Sequence, residues 1–248
     1  MNIYFKESQA GNFCLVEDDL ISNCINESGF WESHLYYFYK EFIKTDYTII
    51  DGGANLGFHS IQFAKLANEG TVYCFEPQPL IFNVLSTNAL INGCSDIIKQ
   101  FRLGLGDKVD QQLKMTPIKE QIFSEYCVNY GGRGLTEGEE GEEDVQLTTI
   151  DSLGLTKLDF MKLDVQGFEL HTLKGGEVTI KTNQPLMFIE NYPDSEQDQK
   201  IIDLIKEWGY EVYRLQVSHN EDCIMVIPEK HIEEIKFIET QQSIKWIK

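Results

Sequence analysis

The chain has 248 residues, of which 42% are hydrophobic and 25% are charged, a composition that excludes disordered and fibrous proteins. Its formal net charge of −19 opposes binding to nucleic acid and to anionic lipid surfaces. No apolar run approaches the roughly 20 residues of a membrane-spanning helix, and the first residues lack the order of a signal peptide, so we expect a cytoplasmic protein.

Residues 1–45 are predicted to form an N-terminal helical segment that packs on the body of the protein. Residues 31–44 (WESHLYYFYKEFIK) are rich in aromatic side chains without strict alternation, which favours a helix. Ser28 lies just upstream and is interpreted as its N-cap. The aromatic stripe at 36–39 is interpreted as core.

From residue 46 to residue 228, strand-like and helix-like segments alternate. Strands are predicted at 47–51, 71–76, 97–103, 158–164, 185–191, 211–215 and 223–227, and helices at 58–68, 79–91, from Glu169 onward and at 195–208. This alternation predicts an α/β domain with a doubly wound, mostly parallel, seven-stranded sheet of the Rossmann-like kind.

Two segments depart from the alternation. Residues 107–157 are predicted to be an irregular insertion, in which six acidic residues crowd into 137–144. Such a run is typical of a solvated loop, and we assign it no chemistry. Residues 229–248 place isoleucines and a tryptophan on plausible helical faces, which predicts a docked C-terminal helix.

A glycine-rich turn, Asp51–Gly57, joins a predicted strand to a predicted helix, where the backbone can approach a ligand closely. Glu76 closes the next strand, a position from which a carboxylate can bind both hydroxyls of a ribose. The turn reads GGANLG rather than GxGxxG, and Asp51 in front of it would repel a pyrophosphate. That carboxylate would instead attract the ammonium and sulfonium groups of S-adenosylmethionine, and Asn55 tolerates the positive φ that the turn needs.

Six blocks extend this pattern, in the order IIDGGANLGFHS, CFEP, LGLGD, TTIDSL, FMKLDVQGFELHTLKGG and FIEN. In these blocks the chain resembles the FkbM-type methyltransferases, which are class I S-adenosylmethionine-dependent enzymes. One block departs from the family, because the family usually has DVEG where this chain has Asp164-Val165-Gln166-Gly167. A neutral side chain at Gln166 keeps its hydrogen bonds but loses a charge.

The resemblance implies a cofactor site position by position. It places Asp51, Gly53, Asn55 and Gly57 at the amino-acid end of the cofactor, Glu76 on the ribose, Pro77 and Gln78 beside the adenine, Gly106 and Asp107 at the adenine edge, and Asp164 near the transferred methyl group. For the turn at 105–107, a simple strand-ending turn is the alternative interpretation.

The resemblance also implies methyl transfer to a hydroxyl oxygen, with a sugar or glycan as the acceptor. That reaction needs a group that removes the hydroxyl proton, and the candidates are Asp164, Glu190 and Glu169. His59 is an imidazole alternative, and His171 is a weaker one. Oxygen ligands from Asp164, Glu190 and Asn191 would suit magnesium, although we predict no metal.

Other functions remain open at this point. Within enzymes, the acceptor can be another small metabolite or a lipid head group, and a nicotinamide dehydrogenase is disfavoured by the missing GxGxxG. A binding module that keeps the fold without turnover is the alternative outside enzymes. We predict no nucleic-acid partner and no membrane span, and the sequence indicates no oligomeric state.

Overall fold

The computed structural model describes residues 2–124, 127–193, 195–217, 220–231 and 245–247. The chain begins with an antiparallel hairpin of β1 (Ile3–Ser8) and β2 (Gly11–Val16), followed by helices α1 (Leu20–Ser28) and α2 (Ser33–Phe42). A purely helical N-terminal segment was therefore the wrong prediction, because β2 buries an apolar run against α4 of the body. Ser28 does not cap α2, since its hydroxyl lies 2.8 Å from the carbonyl oxygens of Cys24 and Phe30, and the N-cap position is Glu32.

The body follows in chain order. It comprises β3 (Thr48–Gly52), α3 (Phe58–Leu66), β4 (Thr71–Phe75), α4 (Pro79–Ile91), β5 (Ile98–Phe101), β6 (Gly104–Leu105), β7 (Gln112–Met115), β8 (Ile122–Ser124), β9 (Cys127–Val128), β10 (Leu135–Thr136), β11 (Asp144–Thr148), β12 (Phe160–Leu163), α5 (Glu169–Lys174), α6 (Glu177–Asn183), β13 (Leu186–Glu190), α7 (Asp198–Glu207), β14 (Tyr210–Val217), β15 (Asn220–Pro228) and β16 (Lys245–Ile247). Short 3₁₀ turns lie at Ile118–Gln121, Tyr130–Gly132, Asp151–Leu153 and Glu229–His231.

The main sheet has the strand order β5-β4-β3-β12-β13-β15-β14-β16. The first five strands in this order pair in parallel, whereas the last three pair antiparallel at one edge. The predicted α/β fold with a mostly parallel sheet is confirmed, but the described part of the sheet has eight strands rather than seven. The strand order reverses between β3 and β12, which is where ligands bind in such sheets.

The core lies on both faces of this sheet. Neighbouring residues of β3 point to opposite faces, so that Ile49 packs with Phe38 of α2 and Phe63 of α3. Ile50 packs in a second cluster with Leu173 and Ile201, which come from the helices of the other face. No helix in the described ranges is both long and apolar enough to cross a membrane.

Residues 107–157 are more regular than predicted. Strands β10, β7, β11 and β6 form a four-stranded sheet of their own, with a small core of Leu113, Met115, Val145 and Leu147. The alternating apolar residues of β7 and β11 face this core, which explains the regularity. The predicted C-terminal helix lies mostly outside the described residues, and the described part of 229–248 holds a 3₁₀ turn and β16, an edge strand.

Candidate functional site

A cavity of about 540 Å³ opens at the carboxyl ends of β3, β4, β12 and β13, beside the switch point of the sheet. Its volume is in the range of small-molecule and cofactor sites. The floor comes from the strand ends, and the walls come from the segment around α1 and α2 and from the insertion. Lining residues include Gly53, Asn55, Glu76, Pro77 and Gln78 of the floor, Asp164, Gln166 and Glu190 at the far end, Cys24, Trp31 and Glu32 of one wall, and Asn129, Gly131 and Arg133 of the other.

The two walls meet at a buried aspartate. Asp19 accepts a hydrogen bond from the Ser22 backbone at 2.9 Å, which caps α1, and a second one from the Tyr130 backbone at 3.3 Å. The backbone of Val128 also donates to the Asp18 carbonyl at 2.8 Å. The N-terminal segment and the insertion are therefore joined to each other as well as to the sheet.

The glycine-rich turn forms the floor where β3 ends. Gly53 has φ +76°, and a β-carbon there would lie 1.7 Å from the backbone oxygen of Asp164. Glycine is therefore required for the turn to pack against the end of β12. Asn55 adopts φ +49°, and its side chain accepts a hydrogen bond from the Leu56 backbone at 2.7 Å. Gly53 and Asn55 thus reach the cavity, as the cofactor prediction requires.

Asp51 and Gly57 support the turn from behind instead of lining the cavity. The Asp51 carboxylate is fully buried and accepts a hydrogen bond from the Ser60 hydroxyl at 2.6 Å. Its other oxygen has no hydrogen-bond partner among the described residues. Gly57 has φ +88° at the N-cap of α3 and packs against Leu85 of α4.

Glu76 is buried at the end of β4 and faces the turn. Its carboxylate accepts hydrogen bonds from the backbone of Asn55 at 3.0 Å and from the backbone of Gln78 at 2.8 Å. Burial is the main cause that raises its pKa to about 7. Pro77 lines the cavity directly after it. The carboxylate is thus held rigidly, with lone pairs left for hydroxyl donors.

The Gln78 side chain is fixed by the insertion. Its amide donates to the Tyr130 carbonyl at 2.9 Å, and its oxygen accepts from the Arg133 guanidinium at 3.3 Å. Arg133 is itself buried and contacts Glu142 at 3.4 Å and Glu143 at 3.2 Å. Five of the six acidic residues of 137–144 are exposed, as predicted, but Glu142 and Glu143 also pair with the cation beside Gln78.

Gly106 and Asp107 lie away from the cavity, so the structure does not support the predicted adenine contacts. The Gly106 backbone donates to the Thr148 carbonyl at 3.0 Å, within the small sheet. The Asp107 carboxylate lies 3.1 Å from His171 at the surface. The preceding residues 103–105 line the cavity instead, because the strand ends before Gly106.

The far end of the cavity carries a polar cluster around Asp164 and Glu190. Asp164 accepts from the Lys162 ammonium at 3.1 Å and from the Gln166 amide at 2.7 Å. The same amide nitrogen donates to Glu190 at 2.7 Å, and the Tyr192 hydroxyl donates to the second oxygen of Glu190 at 3.0 Å. The two acids that the sequence nominated as bases are therefore brought together.

The charges of this cluster are unequal. Burial opposes ionisation of Asp164, but Lys162 and the Gln166 amide lower its pKa below the ordinary value. Burial and then the charge of Asp164 raise the pKa of Glu190 to about 10. Burial likewise disfavours the charge of Lys162, yet the surrounding carboxylates, Asp164 first, hold its pKa above the ordinary value.

Glu169 and His59 differ in their relation to the cavity. Glu169 lies behind the far end, where its carboxylate accepts from the backbones of Val165 at 2.9 Å and Gly167 at 3.0 Å, and burial raises its pKa to about 7. It stabilises the turn after β12, so the structure does not support a role as base. His59 does line the cavity, with Nε2 2.8 Å from the Glu32 carboxylate.

Three charged residues of this site were missed by sequence reasoning. Lys162 carried a signal, because a lysine in the apolar strand 158–164 needs a partner, and Asp164 lies two residues later on the same face. Arg133 and Glu32 carried none. No group of three or more potential metal ligands of the His, Cys, Asp or Glu type occurs among the described residues, and Asn191 donates to Asp198 instead.

Comparisons with known proteins bear on the family and the fold of the chain. The family model described as "Methyltransferase FkbM domain" matches residues 51–212. Methyltransferase sdnD of Sordaria araneosa is 23% identical over 205 residues, covering 72% of this chain and 79% of its own length. Methyltransferase 1 of Beauveria bassiana is 26% identical over 148 residues, covering 52% of this chain and 58% of its own length.

A solved structure, methyltransferase FkbM from Methylobacillus flagellatus KT, superposes with a TM-score of 0.53 at 16% identity. The superposition covers 79% of this chain and 50% of the solved one, so this chain spans about half the length of that protein. At this identity the superposition shows a common fold.

Proposed function

Since the chain belongs to the FkbM family of class I methyltransferases, whose cofactor is S-adenosylmethionine, we propose that it methylates a hydroxyl oxygen, with a sugar or glycan as the acceptor. Family membership confirms the resemblance found in the sequence. The observation that carries the proposal is one continuous cavity with the Glu76 carboxylate in its floor and the pair Asp164 and Glu190 at its far end.

The residues of the floor fit the cofactor. Gly53 lines the cavity and lets the turn pack against the end of β12, and Glu76 presents a rigid carboxylate to ribose hydroxyls. Pro77 and Gln78 form the adjoining wall for the adenine. When bound there, the cofactor supplies a methyl group activated by a positively charged sulfur, which the charge of Asp164 at the far end complements.

A side chain of the protein itself removes the hydroxyl proton. Asp164 and Glu190 lie where β12 and β13 end, and a positioned carboxylate typically contributes about 10² to 10⁴ in rate as a general base. An acceptor bound between the walls would be oriented for in-line attack, and orientation supplies part of the rate.

A sugar or glycan suits the acceptor end because several polar side chains face a hydroxyl-rich ligand there. The carboxyl groups of Glu32 and Glu190 and the side-chain oxygen of Gln166 can form hydrogen bonds with hydroxyl groups, while Phe30 and Trp31 offer flat apolar surface. The excess of carboxylates disfavours phosphorylated or carboxylated acceptors.

The test is incubation of the protein with S-adenosylmethionine carrying a labelled methyl group and a panel of neutral sugars, oligosaccharides, lipid head groups and amines. We expect label in a methyl ether of a sugar. Label only in an amine or a lipid head group would overturn the acceptor class. Cofactor binding without transfer to any acceptor would favour the non-catalytic binding module.

A further inference from the structure

The two carboxyl groups of the far end share one amide and also form a side-chain hydrogen bond with each other. Gln166 Nε2 lies 2.7 Å from Asp164 Oδ1 and 2.7 Å from Glu190 Oε2, so its two hydrogens go to different acids. Gln166 adopts φ +51°, a left-handed conformation that is uncommon for a residue other than glycine. The turn after β12 therefore holds this amide between the two carboxylates.

The other contacts of the two acids differ in charge. The second oxygen of Asp164 faces the Lys162 ammonium at 3.1 Å, whereas the second oxygen of Glu190 faces the neutral Tyr192 hydroxyl at 3.0 Å. Two carboxylates this close to a shared donor resist ionising together. The acid beside the ammonium is therefore the one that keeps its charge.

The elements packed around the pair reinforce this difference. Two further acids face it, and the ammonium is buried, with its side chain 6% exposed. The titratable and charged groups around the pair include Glu32 before α2, Tyr39 of α2, His59 of α3, Lys162 of β12, Glu169 of α5 and Tyr192 after β13.

We propose that Lys162 and Gln166 are positioning residues that make Asp164 the proton acceptor of the reaction and keep its neighbour Glu190 protonated. This inference rests on the proposed function. As the hydroxyl oxygen bonds to the methyl carbon, the carbon–sulfur bond breaks with its electron pair on sulfur, and the hydroxyl proton passes to Asp164. Glu190 keeps its proton throughout.

The first test reads protonation directly and does not depend on turnover. Carbon-13 NMR of the protein with labelled Asp and Glu carboxyl groups, titrated with S-adenosylhomocysteine present, reports each carboxyl, and Glu190→Gln and Asp164→Asn assign the two signals. We expect the Glu190 carboxyl to be protonated and the Asp164 carboxyl to be ionised at neutral pH. The reverse assignment, or two ionised groups, overturns the inference whether or not an acceptor is known.

The second test uses Gln166→Glu, which replaces the shared donor by a third carboxylate. Like charges raise carboxyl pKa values, so we expect the acid limb of the kcat profile to move up by about one pH unit or more, while KM for S-adenosylmethionine changes less than threefold. Gln199→Glu is the matched control, because Gln199 also donates to an acid, Asp203, at 2.7 Å, but at the surface. Equal pH profiles for the two variants would overturn the role of Gln166.

Discussion

Arg133 links the acidic run to the cofactor cavity, so replacing it tests whether the insertion supports the site. Its side chain is 2% exposed and donates to the buried oxygen of Gln78 at 3.3 Å and to the Thr116 carbonyl at 2.9 Å. Its carboxylate partners Glu142 and Glu143 are 42% and 37% exposed, so water screens much of their attraction.

The cost of Arg133→Met follows from these contacts. Loss of the donor leaves two acceptors without their partner, at about 1 to 3 kcal/mol for a buried group and less for the partly exposed carbonyl. We therefore expect the free energy of unfolding to fall by about 2 to 3 kcal/mol, which lowers the melting temperature by about 4 to 12 °C for a chain of this length. S-adenosylhomocysteine should bind about tenfold more weakly, because Gln78 loses one of its anchors.

Scanning calorimetry measures the stability, and titration calorimetry measures the affinity. Lys114→Met is the matched control, since Lys114 lies 4.0 Å from Asp144 of the same acidic run, with side chains that are 42% and 81% exposed. We expect that control to change stability by less than about 0.5 kcal/mol and to leave binding intact. Equal losses of stability in the two variants would refute the argument from burial. Unchanged binding of S-adenosylhomocysteine in Arg133→Met would show that the insertion does not support the cofactor site.

Two further predictions concern the floor of the cavity and the turn after β12. Gly53→Ala should abolish binding of S-adenosylhomocysteine and strongly destabilise the fold in urea titrations. Gly93→Ala is the control, because Gly93 has φ +68° and no atom within 4 Å of a β-carbon, and it should lower the free energy of unfolding by only about 1 to 2 kcal/mol. Similar losses of stability in the two variants would contradict the close approach at Gly53. Burial raises the pKa of Glu76 and Glu169 to about 7 from 4.5, so the fold binds their protons more tightly than the unfolded chain, and the free energy of unfolding should fall as pH rises between these values. Glu76→Gln and Glu169→Gln should each flatten that slope, but only Glu76→Gln should weaken cofactor binding, and an unchanged slope in both would refute the assignment.

The parallel part of the sheet was readable from the sequence because its strands are short apolar runs that end in turn residues. Helix α4 was predicted at both ends, since Pro79 fixes its first turn and its apolar residues follow a helical period. The N-terminal hairpin was missed because Ile3 and Phe5 lie on its exposed face, so the apolar residues of β1 do not mark the buried side.

The candidate site was also predicted only in part. Gly53, Asn55 and Glu76 follow directly from strand ends, and parallel strands bring such ends together. Arg133 and Glu32 reach the cavity only because separate segments dock over it, and no local spacing encodes that docking. Sequence reasoning therefore found the floor of the site and missed the charges of its walls.

The wall formed by α1 and the start of α2 has a consequence for how such enzymes diversify. Cys24, Trp31 and Glu32 precede residue 51, where the match to the family model begins, whereas Gly53 and Glu76 lie within it. Under the proposed function, mutations in this wall alter the shape and charge offered to the acceptor and leave the residues of the cofactor floor unchanged. Exchanging the first 45 residues between relatives should therefore transplant acceptor preference onto an unchanged methyl-donor site.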